Sequence, residues 1–144
     1  MRKKSKAQIY LERVEMIDSI IKNKLIEQRQ WKEIALGITA NMGGERVQSS
    51  GSNSKMADAI EKCVDMEAEI DRLIDKLIDT KKEVIQTIEQ LDNPTFYKIL
   101  HLRYIQYKTL WQIADDYDRD YGWITTNHGR AIADVQRILD GRSE

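Results

Sequence analysis

Residues 55–91 read KMADAIEKCVDMEAEIDRLIDKLIDTKKEVIQTIEQL, and the spacing within this stretch decides the fold class. Positions 56, 60, 63, 67, 70, 74, 77, 81, 84, 88 and 91 alternate steps of four and three. Nine of these eleven are apolar: Met56, Ile60, Cys63, Ile70, Ile74, Leu77, Val84, Ile88 and Leu91, with Glu67 and Lys81 as the exceptions. A 3.5-residue repeat held this long specifies a coiled-coil seam on one helix. At 1.5 Å per residue that helix is roughly 55 Å long. Ala59, Met66 and Leu73 widen the stripe, which predicts packing on more than one neighbour.

Upstream, residues 5–38 repeat the pattern. Val14, Ile17, Ile21 and Leu25 recur at steps of three and four, and Trp31, Ile34, Ala35 and Ile38 continue an apolar face. This is an amphipathic helix with no proline inside it. Between the two helices, residues 41–54 read NMGGERVQSSGSNS, a Gly- and Ser-rich loop longer than a tight helix–helix turn. Charge divides along the same lines. Residues 1–39 hold nine Lys/Arg against five Asp/Glu, and residues 40–93 hold seven against twelve. Acidic residues four apart on the second helix, such as Glu67, Asp71, Asp75, Asp79 and Glu83, repel one another. The basic first helix can offset them. Residues 1–92 are therefore read as an antiparallel, coiled-coil-like helical hairpin.

Downstream, LDNPTF breaks the long helix. Pro94 suits the first turn of a new helix capped by Asn93 or Asp92, carrying Phe96, Ile99, Leu100, Leu102 and Tyr104 to about Ile105. Gln106, Tyr107 and Lys108 form a turn. Thr109 with Gln112 three residues on is a capping box, starting a helix through Leu110, Ile113, Ala114 and Tyr117. Asp118, Arg119 and Asp120 form a second turn, and Asp120 caps a last helix that ends near Gly141. Two short helices joined by a tight turn behind a supporting helix form a helix-turn-helix pattern, here on residues 93–144.

Composition narrows the function classes. The 144 residues carry 7 Gly and 1 Pro, too little punctuation for an all-β sandwich or barrel. No apolar run approaches the ~20 residues that cross a bilayer. The basic start MRKKSKAQ is not followed by the apolar stretch of a secretory signal, so the expected location is cytoplasmic, with no membrane partner. Cys63 is the single cysteine, which leaves no intramolecular disulfide or cysteine-rich zinc site. No nucleophile–base pair or carboxylate dyad emerges at helical spacing, so neither an enzyme nor a cofactor is expected.

Three segments sharpen the reading: LRY at 102–104, TLWQIADDY at 109–117 and WITTNHGRAI at 123–132. They resemble region 4 of sigma-70-type transcription factors. The whole chain, a long hairpin with a Gly/Ser-rich loop followed by LDNP and a module ending in HGRAI, looks like the ArpU/RinA-type late-gene regulators of Gram-positive phages and prophages. The resemblance implies that residues 121–130 enter the major groove of double-stranded DNA. It places Tyr121, Gly122, Trp123, Thr125 and Thr126 toward bases and phosphates, with Arg130 and Lys108 as phosphate partners and Thr109 at the helix start beside them. Sigma recognition helices are arginine-rich at the positions of Tyr121, Trp123 and Thr125, and this chain has none there. Weak DNA affinity per copy is therefore expected, with a homodimer through the hairpin, or RNA polymerase, supplying the remainder. Trp111 stands where sigma relatives carry a polar residue, and its burial against the hairpin or a second subunit is expected.

The expected function is thus promoter binding by a phage-type transcription regulator. The alternatives are a DNA-packaging adaptor and an interaction module whose helix-turn-helix no longer holds DNA. Residues 94–144 carry seven basic and seven acidic residues, without the basic excess of a strong DNA binder. Asp116, Asp118 and Asp120 share the start of a calcium-loop pattern, but Tyr121 replaces its glycine and Asn127 its bidentate glutamate. Termination and capping of helices explain these aspartates better. His101 and His128 are expected at a helix surface or core edge, and Cys63 as a small buried hydrophobe on the seam.

Overall fold

The computed structural model describes residues 3–37 and 50–142. Among them there is no strand. Five helices follow in order: α1 (Lys6–Ala35), α2 (Ser50–Ile88), α3 (Pro94–Leu100), α4 (Leu110–Tyr117) and α5 (Tyr121–Arg142), with α3 continued by a π-helical turn at His101–Ile105. The chain is all-α, and no helix of the described residues is long and apolar enough to cross a membrane. Residues 38–49, with Ile38 and most of the Gly/Ser-rich connector, lie outside the described residues.

Two expectations about α2 need correction. The helix begins at Ser50, so residues 50–54 are helical and not the end of a loop. Extending an existing helix by a turn needs no new nucleus, so weak helix formers are carried along. The seam is also shifted. The covered row is Ala59, Cys63, Met66, Ile70, Leu73, Leu77, Thr80, Val84 and Thr87. It shares 63, 70, 77 and 84 with the expected row but uses 59, 66, 73 and 80 in place of 60, 67, 74 and 81, while at its end Thr87 is buried together with Ile88 of the expected row. The two rows have the same period and lie about 50° apart on the helix. The expected one would bury Glu67 and Lys81, and a buried charge costs far more than the single hydroxyl of Thr80.

The chain divides into two compact units, residues 18–76 and residues 1–17 with 77–144. In the first, Ile21 of α1 and Ala59, Met66 and Ile70 of α2 are buried. Lys24 Nζ lies 2.8 Å from Glu69 Oε1, and Gln28 Nε2 donates to the Cys63 carbonyl at 3.3 Å. The hydrogen bond to Glu69 raises the Lys24 pKa, and the same bond lowers that of Glu69. Partner numbers fall on α2 as they rise on α1. Cys63 itself is half-buried.

The second unit holds the main core. Ala7, Leu11 and Val14 of α1 meet Val84 and Ile88 of α2, Leu100 and Tyr104, and Ala131, Ile132 and Val135 of α5. Residues 94–142 thus share a core with the first turns of α1 and the last turns of α2. The buried hydroxyl of Thr87 is satisfied from three sides: it donates to the Glu83 carbonyl (3.0 Å), accepts from Arg142 (3.0 Å) and lies 2.8 Å from the Tyr10 hydroxyl. Arg13 pairs with Glu83 at 3.2 Å, and the Ala7 N–H donates to Gln136 at 2.9 Å. A smaller cluster of Ile99, Leu102, Ile113, Ala114 and Ile124 fixes α4 against α3 and α5.

The turns follow the side-chain chemistry. Asn93 Oδ1 accepts from the N–H groups of Thr95 and Phe96, with Pro94 opening α3. The π turn ends with Gln106 N–H on the His101 carbonyl, and Tyr107 follows at φ 62°. Asp118 closes α4 in the left-handed conformation (φ 52°, ψ 46°), which favours glycine. Its side chain is exposed. Asp118→Gly is therefore expected to raise stability by about 0.5–1 kcal/mol, read as a higher midpoint in thermal denaturation.

His128 sits at the core edge, its Nε2 2.8 Å from the Tyr104 hydroxyl and the two rings stacked. Burial, helped by the nearby Arg103 charge, holds the imidazole down to about 4, and burial pushes the Tyr104 phenol well above its usual range. A histidine kept neutral in the fold contributes fully above its unfolded value near 6.5. That contribution is lost as pH falls from about 6.5 through 4, by on the order of 3 kcal/mol at about 1.4 kcal/mol per pH unit. Urea denaturation across that window is expected to show the decline, and His128→Gln to flatten it.

Candidate nucleic-acid interface

The segment from α4 into α5 gathers the residues expected to meet DNA. Thr109 opens α4 with both halves of a capping box: its hydroxyl accepts from the Gln112 N–H (3.1 Å), and its own N–H donates to Gln112 Oε1 (2.9 Å). Lys108, one residue earlier, is paired with Asp116 at 2.6 Å, so much of its charge is spent within the chain. Asp120 Oδ1 accepts from the Trp123 N–H at 2.9 Å and starts α5 at Tyr121. Two of the three aspartates of the calcium-like pattern thus have helix-terminating or capping roles, and the third is neutralised by Lys108. Among the described residues no three metal-ligating side chains gather.

Within α5, Gly122, Thr126, Gly129, Arg130, Ala133 and Arg137 are exposed. Their spacing puts them along one outward flank. Tyr121, Trp123 and Thr125 are half-buried, and Ile124 is fully buried in the smaller core. Trp123 packs on that core, carries the Arg119 guanidinium 4.8 Å above its ring and is tilted against Tyr117. The Thr125 hydroxyl donates back to the Gly122 carbonyl at 3.0 Å, and Asn127 to that of Trp123 at 2.8 Å. Thr126 keeps an exposed hydroxyl. The expected residues are thus near one another, but they divide: Gly122, Thr126 and Arg130 face outward, Trp123 supports from behind, and Lys108 is held by Asp116.

Trp111 corrects the expectation of burial against the long helices. It is 64% exposed and stacks on Tyr121, ring centroids 3.8 Å apart at 9°. The stack ties the first turn of α4 to the first turn of α5. Sequence reasoning missed this pair, and Arg119 over Trp123, because residues ten and four apart in different elements meet only through the turn between them.

The glycines of the outward flank have no internal reason. A Cβ at Gly122 or Gly129 would meet nothing within 4 Å. Gly129 nonetheless weakens the helix interior by about 1 kcal/mol relative to alanine, and Gly122, in the first turn of α5, costs less. Gly129→Ala is therefore expected to stabilise the chain by about 0.5–1 kcal/mol and Gly122→Ala by less, measured by chemical denaturation. Destabilisation by either would place a hidden contact at that position.

Comparison with curated proteins finds no match. Comparison with solved structures finds none either. A family model described as Protein of unknown function (DUF1492) matches residues 36–122, from the end of α1 to the first turn of α5. That is more than half of the chain, which therefore belongs to this family.

Proposed function

We propose that the protein is a non-enzymatic transcription regulator of phage or prophage type that binds promoter DNA through α4 and α5 as a helix-turn-helix, with α1 and α2 as an antiparallel hairpin. The observation that carries this reading is the outward flank of α5. Gly122, Thr126, Gly129, Arg130 and Ala133 form a low, partly basic surface that no packing among the described residues uses. Small residues let a helix backbone approach a groove wall, a threonine hydroxyl can bond a base edge or phosphate, and arginine neutralises phosphate. The capped turn and the Trp111–Tyr121 stack hold that flank at a set angle to α4. The resemblance to sigma region 4 rests on residues 102–104, 109–117 and 123–132, which include Thr126, Gly129 and Arg130.

Affinity on this reading is modest. The flank carries Arg130, while its Arg137 is ion-paired with Asp134, and Arg119 and Lys98 sit over the rings of Trp123 and Tyr117, which leaves three cations for phosphate. The Lys108–Asp116 pair favours, as a second reading, an interaction module that no longer holds DNA. A gel-shift titration on a random-sequence duplex library separates the two. Three phosphate contacts predict a log–log salt slope of about −3. Gly129→Glu puts a carboxylate into open space without touching the core, so binding is expected to fall at least tenfold (about 1.4 kcal/mol) with the fold intact by circular dichroism. Absence of a shift at low salt, or unchanged binding by Gly129→Glu, overturns the DNA reading.

A further inference from the structure

Among the described residues from Pro94 onward, Trp111 is the one large apolar side chain left exposed. It is not loose. Its indole lies flat on Tyr121, which fixes one face of the ring and leaves the other face and the edge to solvent. The indole N–H has no hydrogen-bond partner among the described residues. A ring already held in place loses little freedom when a partner covers it. Its position is set by Tyr121, the first residue of α5. With about 100° between successive helical residues, Tyr121 lies about 100° round the helix from Gly122 and about 40° from Thr125. Trp111 therefore stands at the side of the first turn of α5, beside the outward flank and off its crest. A helix with its side chains is ~10–12 Å across, and the major groove is ~12 Å wide. With Gly122, Thr126 and Gly129 toward the base edges, α5 fills the groove, and a ring at its side meets the groove wall. That wall is the sugar–phosphate backbone.

We infer that Trp111 is a contact to the DNA backbone: its indole N–H donates to a phosphate oxygen, and its uncovered ring face lies against the adjoining deoxyribose. The inference rests on the reading of α4 and α5 as a DNA-binding module and names a contact that reading lacks. Three cations neutralise few phosphates, so a module of this charge needs contacts that are not ionic. A neutral N–H donor supplies one, fixing the register of the helix on the duplex without releasing a counterion. The acidic groups of α4 do not oppose it. Asp115, one turn on, lies behind the ring, because helical side chains lean toward the N-terminus, and Asp116 is neutralised by Lys108 at 2.6 Å. A protein partner fits less well. One indole without apolar neighbours on the surface falls far short of the ~800 Å² that each side of a stable protein interface buries.

Gel-shift titrations of the full chain over a range of salt, on the random-sequence duplex library, test it. Trp111→Phe keeps a ring on Tyr121 and removes the N–H. Its affinity is expected to fall about tenfold, with helicity unchanged by circular dichroism. Its log–log salt slope is expected to equal that of the wild type, because no cation has been lost. Arg130→Gln, by contrast, is expected to make the slope shallower by about 1. Trp111→Arg restores a donor that also stacks on tyrosine, so binding is expected to recover with a slope steeper by about 1. Suppose the wild type shifts the duplex and Gly129→Glu does not. Unchanged affinity of Trp111→Phe then overturns this inference alone, leaves the DNA reading standing and assigns the ring to a protein partner. A shallower slope in Trp111→Phe, or a wild-type slope in Trp111→Arg, also overturns it. No shift by the wild type at low salt overturns both.

Discussion

The aliphatic core shared by both long helices and the C-terminal helices is the constraint on which the rest depends. Leu11 and Val14, Val84 and Ile88, Leu100, and Ala131 with Val135 come from four separate elements and exclude water together. α3 and α4, of 7 and 8 residues, are too short to be stable as isolated helices, and α5 depends on the same core to cover its apolar face. Their order comes from docking on the first turns of α1 and the last turns of α2. Thr87 shows how tightly that junction is closed. Its hydroxyl is fully buried, yet three polar partners reach it.

From that anchor the smaller core of Ile99, Leu102, Ile113, Ala114 and Ile124 sets α4 against α5. Ile124 points inward, and the helical period then turns Gly122, Thr126 and Gly129 outward. Asp118 and Asp120 hold the intervening turn, one by accepting a left-handed backbone and the other by capping α5. The aromatic stack of Trp111 on Tyr121 adds a brace on the solvent side. The outward surface is therefore rigid in its supports and only weakly basic.

Much of this was legible in the residues themselves. The heptad period announced a long helix, Asn93-Pro94 its end, and Thr109 with Gln112 the start of α4. These are local signals: a helix period, a fixed φ and a side chain within three residues of the N–H it satisfies. Tertiary structure alone decided what depends on neighbours distant in sequence. Two apolar rows of equal period run along α2, and only the presence of α1 selected the row through Met66 and Thr80 over the row through Glu67 and Lys81. Spacing likewise said nothing of Trp111 meeting Tyr121, or of Asp116 capturing Lys108. Period determines which residues share a face of a helix; which face is covered depends on the partner that removes it from water, and no short-range pattern encodes that partner.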